Sequence, residues 1–212
     1  MGPFDGKMIK IGVATFQGDV EEHLAATREA LRKLNVQGEA VPVKMPEEIE
    51  ELDALIVPGG ESTVMGRLAQ RTGALDVIRK RVLEGMPVLG TCAGLIFLAK
   101  RVYDRVVGET GQPLLGVLDV LVERNAYGRQ RESFEVELEI PALGARNFRA
   151  VFIRAPAILE VGEGVEVLAS YGGKPVAVRQ EAIYGTTFHP ELSGNTVFHE
   201  ALVREAIRFS RR

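Results

Sequence analysis

Among its 212 residues the chain carries one cysteine, Cys92, and three histidines. Cys92 lies in Gly90-Thr91-Cys92-Ala93-Gly94, between the short apolar run Met86 to Gly90 and a run from Leu95 that reads as helix to about Arg101. A nucleophile with glycine two residues to either side matches the strand-turn-helix elbow, here with cysteine in the position of serine. The sharp turn lifts the middle side chain at the carboxyl end of a sheet, and small neighbours permit the tight backbone. The next helix aims its amino terminus at the sulfur, a setting that suits a thiolate and a bound oxyanion. The competing reading is a small buried apolar residue, the usual fate of a free cysteine. The two glycines favour the nucleophile.

A thiol that attacks an amide needs an imidazole to take its proton and return it to the leaving nitrogen. His189 ends an expected strand, Ile183 to Phe188, and precedes Pro190 and Glu191. Proline stops the ladder and turns the chain into a loop. Glu191 can then reach the far ring nitrogen of His189 and fix its tautomer. A polar strand end facing water is the plain alternative, but the elbow upstream completes a nucleophile, base and orienter. His23 and His199 fall inside the expected first and last helices and read as solvated or packed helical residues.

Pro58-Gly59-Gly60-Glu61-Ser62 ends another apolar strand, Leu55 to Val57, at what should be the same edge as Cys92. Backbone free of side chains there lets an N–H approach a substrate, so Gly60 and Ala93 are the expected oxyanion donors. An ordinary glycine turn with Ser62 capping the next helix reads equally well, and both can hold.

These segments must be held by a sheet. Met8 to Ala14, Leu55 to Val57 and Met86 to Gly90 are short, apolar and separated by helical patterns. One helix runs from about Asp19, which can cap it, with Val20, Leu24, Leu31 and Leu34 as its stripe. Val77 to Leu83 reads as another helix, and Asn195 to Ser210 as the last. Such alternation requires a mostly parallel sheet covered on both faces, an α/β/α sandwich of three layers. From Phe134 to Ile140 apolar residues alternate with glutamates, a strand with one wet face. Val151 to Ile153, Val165 to Ala169, Val176 to Arg179 and Ile183 to Phe188 follow closely, as antiparallel additions to the sheet. Residues 8–212 form one expected domain, with Met1 to Lys7 an N-terminal extension.

Bulk properties exclude several classes. Apolar residues make up 46% and charged residues 26%, with 26 basic and 29 acidic side chains spread along the chain. Neither nucleic acid nor a membrane surface is implied by so even a distribution. No apolar run approaches the roughly 18 residues needed to span a bilayer, and the polar start lacks a signal-peptide core, so a cytoplasmic location is expected. One cysteine forms no internal disulfide. There is no P-loop, candidate metal cluster or evident Schiff-base lysine, so no metal and no cofactor are expected.

The PGGES loop, the GTCAG elbow and the FHPE segment together resemble the class I (triad) glutamine amidotransferases. Many members carry Gln where this chain has Ile96. That departure, with Val122-Glu123-Arg124-Asn125, Gly128-Arg129-Gln130 and Val151-Phe152-Ile153-Arg154-Ala155-Pro156, resembles the glutaminase subunits of pyridoxal 5'-phosphate synthase. The likeness runs from about Ile9 to the final helix. It implies a flavodoxin-like three-layer fold and the release of ammonia from L-glutamine by Cys92, His189 and Glu191. It further implies a glutamine pocket from Gly60, Glu61, Ser62, Arg124, Ile153 and Arg154. The partner implied is a PdxS-like synthase subunit, in a large hetero-oligomer of equal subunit numbers. Activity in that family waits for the partner to dock, and Gln17 and Gly18, at the same sheet edge, are the candidates for sensing it. Without the resemblance, Arg124, Arg129 and Arg131 read as a solvated loop. Two other readings stay open, a cysteine hydrolase of different substrate and a non-catalytic scaffold that only binds the synthase.

Overall fold

The computed structural model describes residues 7–126 and 133–212. The amino-terminal half alternates strand and helix: β1 (Ile9–Ala14), α1 (Val20–Lys33), β2 (Gly38–Val43), α2 (Pro46–Glu50), β3 (Ala54–Val57), α3 (Ser62–Thr72), α4 (Ala74–Leu83), β4 (Val88–Thr91) and α5 (Ala93–Leu98). Strands dominate thereafter: β5 (Ala99–Asp104), β6 (Gly108–Glu109), β7 (Leu118–Arg124), β8 (Ser133–Ile140), β9 (Ala145–Ile153), β10 (Ala157–Val161), β11 (Glu166–Tyr171), β12 (Lys174–Gln180) and β13 (Ile183–Thr186), before the final helix α6 (Val197–Ser210).

The central sheet has the order β11-β12-β13-β4-β3-β1-β2. Its five strands from β13 to β2 are parallel, and β11 and β12 extend it antiparallel. Because successive side chains on a strand point to opposite faces, β3 divides its residues between two cores. Leu55 and Val57 pack with Met65, Ile78, Phe97 and Val120 on one face. Ala54 and Ile56 pack with Leu24, Leu31, Phe148 and Leu202 on the other. Such a strand must be wholly apolar, which is why Ala54 to Val57 carries no polar side chain.

Several expectations need correction. Residues 99–101 do not continue a helix; they begin β5, which joins β6, β7 and β10 in a second, four-stranded sheet. Val151 to Ile153 does not extend the central sheet either. It closes a separate hairpin in which β9 pairs with β8. The alternation from Phe134 to Ile140 supplies that hairpin with one face for the core, where Phe152 and Phe148 lie against Phe188 with ring centroids 5.6 Å away in each case. Asp19 precedes α1, yet its side chain makes no capping bond. Among the described residues no helix is long and apolar enough to cross a membrane.

The parallel run has a functional consequence. The loops that follow β1, β3, β4 and β13 leave the sheet at one edge, from neighbouring strands, as ligand sites in open α/β sheets require.

Candidate active site

Cys92 occupies the turn between β4 and α5 with φ 53° and ψ -110°. A non-glycine residue held there is strained, and the strain is sustained by its surroundings. Its N–H donates to the Thr186 carbonyl of β13 at 2.9 Å, which fixes the elbow to the next strand. A Cβ on Gly94 would stand 1.9 Å from the Val57 carbonyl oxygen, so only glycine lets α5 pack this closely on β3. The Cys92 Sγ lies 3.7 Å from the Ile153 carbonyl oxygen, which brings β9 to the rim. With six residues α5 is under two turns long, so it contributes amino-terminal N–H groups more than an extended dipole.

His189 follows Phe188, whose ring is packed among Phe148, Phe152 and Phe198. Its own N–H donates to the Val151 carbonyl at 2.8 Å. The backbone at His189 is thus anchored to the hairpin. Its Nδ1 lies 2.6 Å from Glu191 Oε1, and the Glu191 side chain is fully buried. Burial pulls the His189 pKa down, but hydrogen bonds to Cys92 and Glu191, with the charges of both, outweigh it and raise the value to about 10. Burial raises the Glu191 pKa, against the opposing pull of His189. Sequence positions 92, 189 and 191 therefore bring a thiol, an imidazole and a carboxylate to one place.

The loop after β3 reaches the same place. A Cβ on Gly59 would come 2.9 Å from His189 Cε1 and 3.5 Å from Cys92 Cβ, so the glycine backbone forms the wall over both. Gly60, at φ 137°, lies against Gln17, and Gln17 Oε1 accepts the Glu61 N–H at 2.6 Å. A Cβ on Gly18 would meet the Gly59 carbonyl oxygen at 1.8 Å. The expected sensing residues are thus in direct contact with the expected oxyanion loop.

Glu61, not Ser62, caps α3: its carboxylate accepts from the Thr63 and Val64 N–H groups at 3.0 and 2.8 Å. Ser62 is buried and accepts from Gln112 at 3.0 Å. Arg124 is no solvated loop residue. Its Nε bonds Asp104 at 2.8 Å, and Nη1 bonds Thr63 at 2.8 Å and Gln112 at 3.1 Å. The Val106 N–H and the Arg124 guanidinium hold the Asp104 carboxyl down to about 2. Arg154, at φ 46°, follows Ile153 on the hairpin's end. Gly128, Arg129, Gln130 and Arg131 lie outside the described residues.

Three residues at the centre escaped the sequence reading. Asp19 Oδ2 lies 3.3 Å from His189 Nδ1 instead of capping α1. Asp19, His189 and Glu191 have ligand atoms within 4.8 Å of one another, a geometry able to cage a cation. His189 Nδ1 is already bonded to Glu191, however, so the group reads as two carboxylates around an imidazolium. His23 and His199 are packed, not solvated, and they form a pair that the sequence did not show: both are fully buried, with His23 Nδ1 2.9 Å from His199 Nε2, beside Glu191. A signal existed, since His23 shares the helical face of Val20, Leu24, Thr27 and Leu31, and His199 that of Leu202, Val203 and Ala206.

Comparison with known proteins settles the family, because the model of the SNO glutamine amidotransferase family matches residues 13–208. The chain belongs to that family. Among its relatives, the pyridoxal 5'-phosphate synthase subunit PdxT of Sulfurisphaera tokodaii is 46% identical over 198 residues, covering 93% of this chain and 99% of the relative. PdxT of Aeropyrum pernix is 50% identical over 200 residues, with 92% and 98% covered. A crystal structure described as a glutamine amidotransferase superposes with TM-score 0.79 at 48% identity, over 92% of this chain and 98% of that one. A glutamine amidotransferase from Thermotoga maritima, only 14% identical, shares the fold at TM-score 0.60, over 97% and 100% of the two chains.

Proposed function

We propose that this SNO-family chain is the glutaminase subunit of a pyridoxal 5'-phosphate synthase, hydrolysing L-glutamine to L-glutamate and ammonia. The observation that carries the reading is Cys92 at the strained elbow, under the same Gly59 wall as His189, whose Nδ1 is held by buried Glu191.

In this reading the Cys92 thiolate adds to the side-chain amide carbon, and the resulting oxyanion is met by the N–H groups of Gly60 and Ala93. Collapse breaks the C–N bond while the His189 imidazolium gives its proton to the departing nitrogen, releasing ammonia and leaving a glutamyl thioester. Neutral His189 then takes a proton from water as the hydroxyl adds, and collapse returns the thiolate and frees glutamate. Each oxyanion donor contributes about 3 kcal/mol to the transition state. Arg124, fixed by Asp104, Thr63 and Gln112, suits the substrate carboxylate. Glu61, Ser62, Ile153 and Arg154 complete the pocket, Glu61 through the backbone that its carboxylate caps.

Ammonia released into water would be protonated and diluted, so a synthase subunit receiving it directly fits the chemistry. We assign a hetero-oligomer of equal subunit numbers, in which docking reorients the Gly59-Gly60 peptide through Gln17 and Gly18. The test is ammonia release from glutamine with the synthase subunit present, for wild type and Cys92→Ala. Wild-type release and a variant at background are expected. Activity surviving in Cys92→Ala would remove the nucleophile, and partner binding without any release would favour a scaffold.

A further inference from the structure

Behind the triad lies a polar cluster that the reaction as written does not use. Two fully buried imidazoles from different helices meet there, His23 of α1 and His199 of α6, with His23 Nδ1 2.9 Å from His199 Nε2. His23 Nε2 faces two oxygens, Thr91 Oγ1 at 3.2 Å and Glu191 Oε2 at 3.2 Å. Thr91 is the residue before the nucleophile, and Glu191 Oε2 is the oxygen turned away from His189. That oxygen is buried and has no aligned hydrogen-bond donor, and neither does His199 Nδ1 have a partner. Two α-helices, a strand end and the 190–192 turn thus place their polar groups in one dry space.

The tautomers follow from the partners. Burial lowers the pKa of His199 to about 4, and burial, His199 and His189 lower that of His23 well below its usual value, so both rings are neutral. A proton on His199 Nδ1 would be a buried donor without an acceptor, whereas on Nε2 it meets His23 Nδ1. His23 Nδ1 therefore accepts, and the His23 proton sits on Nε2, facing Glu191 and Thr91. The opposite arrangement would aim a ring lone pair at a carboxylate oxygen. In a low-dielectric interior that polarity matters more than it would in water.

We propose that His23, with its tautomer set by His199, is a positioning residue for the glutaminase reaction: its Nε2–H faces Glu191 Oε2 and keeps that carboxylate ionised and turned toward His189. The dipole acts through Glu191 on His189, and through Thr91 it ties the base to the elbow. The groups around Glu191 that set its titration are His189 and Asp19 on the catalytic side and His23, backed by His199 and Thr91, behind it.

The proposal rests on the glutaminase reading, so its test has two parts. In the complex with the synthase subunit, His23→Leu should lower kcat about tenfold, the rate equivalent of losing one hydrogen-bond-like contact to a charged group. It should leave KM for glutamine unchanged and move the acid limb of the kcat profile to higher pH, because Glu191 then takes up a proton more readily. His23→Gln, whose amide nitrogen reaches the position of Nε2, should restore both rate and acid limb. A rate loss with an unmoved acid limb, or no rescue by glutamine, would reduce His23 to packing and overturn the proposal. Independently of any variant, 15N-detected spectra of the free wild-type chain should place one proton on Nε2 of each ring. A proton on His23 Nδ1 would also overturn it. Absence of ammonia release from wild type would instead defeat the glutaminase reading, while the ring spectra still decide the tautomers.

Discussion

Gln17 and Glu61 stand 44 positions apart in the chain, yet the side-chain oxygen of the first accepts the backbone N–H of the second at 2.6 Å. The bond joins the loop after β1 to the loop after β3, and the second of these carries the proposed oxyanion donor. Gln17→Ala removes one hydrogen bond, on the order of 1 kcal/mol, or about fivefold in rate. The ratio of glutaminase turnover with and without the synthase subunit should fall by that factor. An unchanged ratio would separate Gln17 from the partner response.

Gly59 forms a wall over Cys92 and His189. In Gly59→Ala the new methyl would lie 2.9 Å from His189 Cε1 and 3.5 Å from Cys92 Cβ, so the ring must yield. A displacement of about 1 Å costs about a hundredfold in rate, so the shift of about half that needed here costs about tenfold. We expect kcat to fall by about that factor, with circular dichroism and melting temperature close to wild type. Full activity in this variant would mean that the loop sits elsewhere during turnover.

Alkaline pH tests the His189–Glu191 pair. With His189 raised to about 10, the imidazolium proposed to protonate the leaving nitrogen persists through neutral pH, and kcat should fall as pH rises through that value. Glu191→Gln removes a charge that holds the proton, so the alkaline limb should move to lower pH. The rate should drop by about three to four orders of magnitude, as when a buried triad carboxylate becomes an amide. A limb that stays in place would show that the sulfur, not the carboxylate, sets the proton affinity of His189.

Acid unfolding should report the buried imidazoles. The unfolded chain protonates His199 near pH 6.5, while the folded chain resists until about 4. Its contribution is therefore present above 6.5 and lost as pH falls between those values, on the order of 3 kcal/mol. His189 has the opposite sign: its contribution is present below 6.5 and lost as pH rises toward 10. Denaturant midpoints measured from pH 4 to 8 should show the acid loss in wild type and a flatter slope in His199→Leu. Equal slopes would mean that another group governs acid unfolding.

Local patterns made much of this legible. The elbow glycines, the proline after His189 and the apolar strands are rules of backbone geometry and burial, which act within a few residues. They yielded a mainly parallel sheet and brought Cys92, His189 and Glu191 into one reading. Pairing between distant strands is not a local property. Nothing between Phe134 and Ile153 says that β8 and β9 form their own hairpin, and the apolar run after Leu95 gives no sign that it changes to strand at Ala99.

Side-chain partners were hidden for the same reason. Asp19 before a helix reads as a cap until folding brings His189 within 3.3 Å. Glu61 takes the capping role expected of Ser62 because the capping oxygen is chosen by where the turn points it. His23 and His199 are separated by 176 residues, and only the packing of α1 against α6 makes them one buried pair. The sequence by itself determined which atoms are available for chemistry. The tertiary structure decided which of them share a dry space, because solvent exclusion and ring orientation depend on contacts that no neighbouring residue encodes.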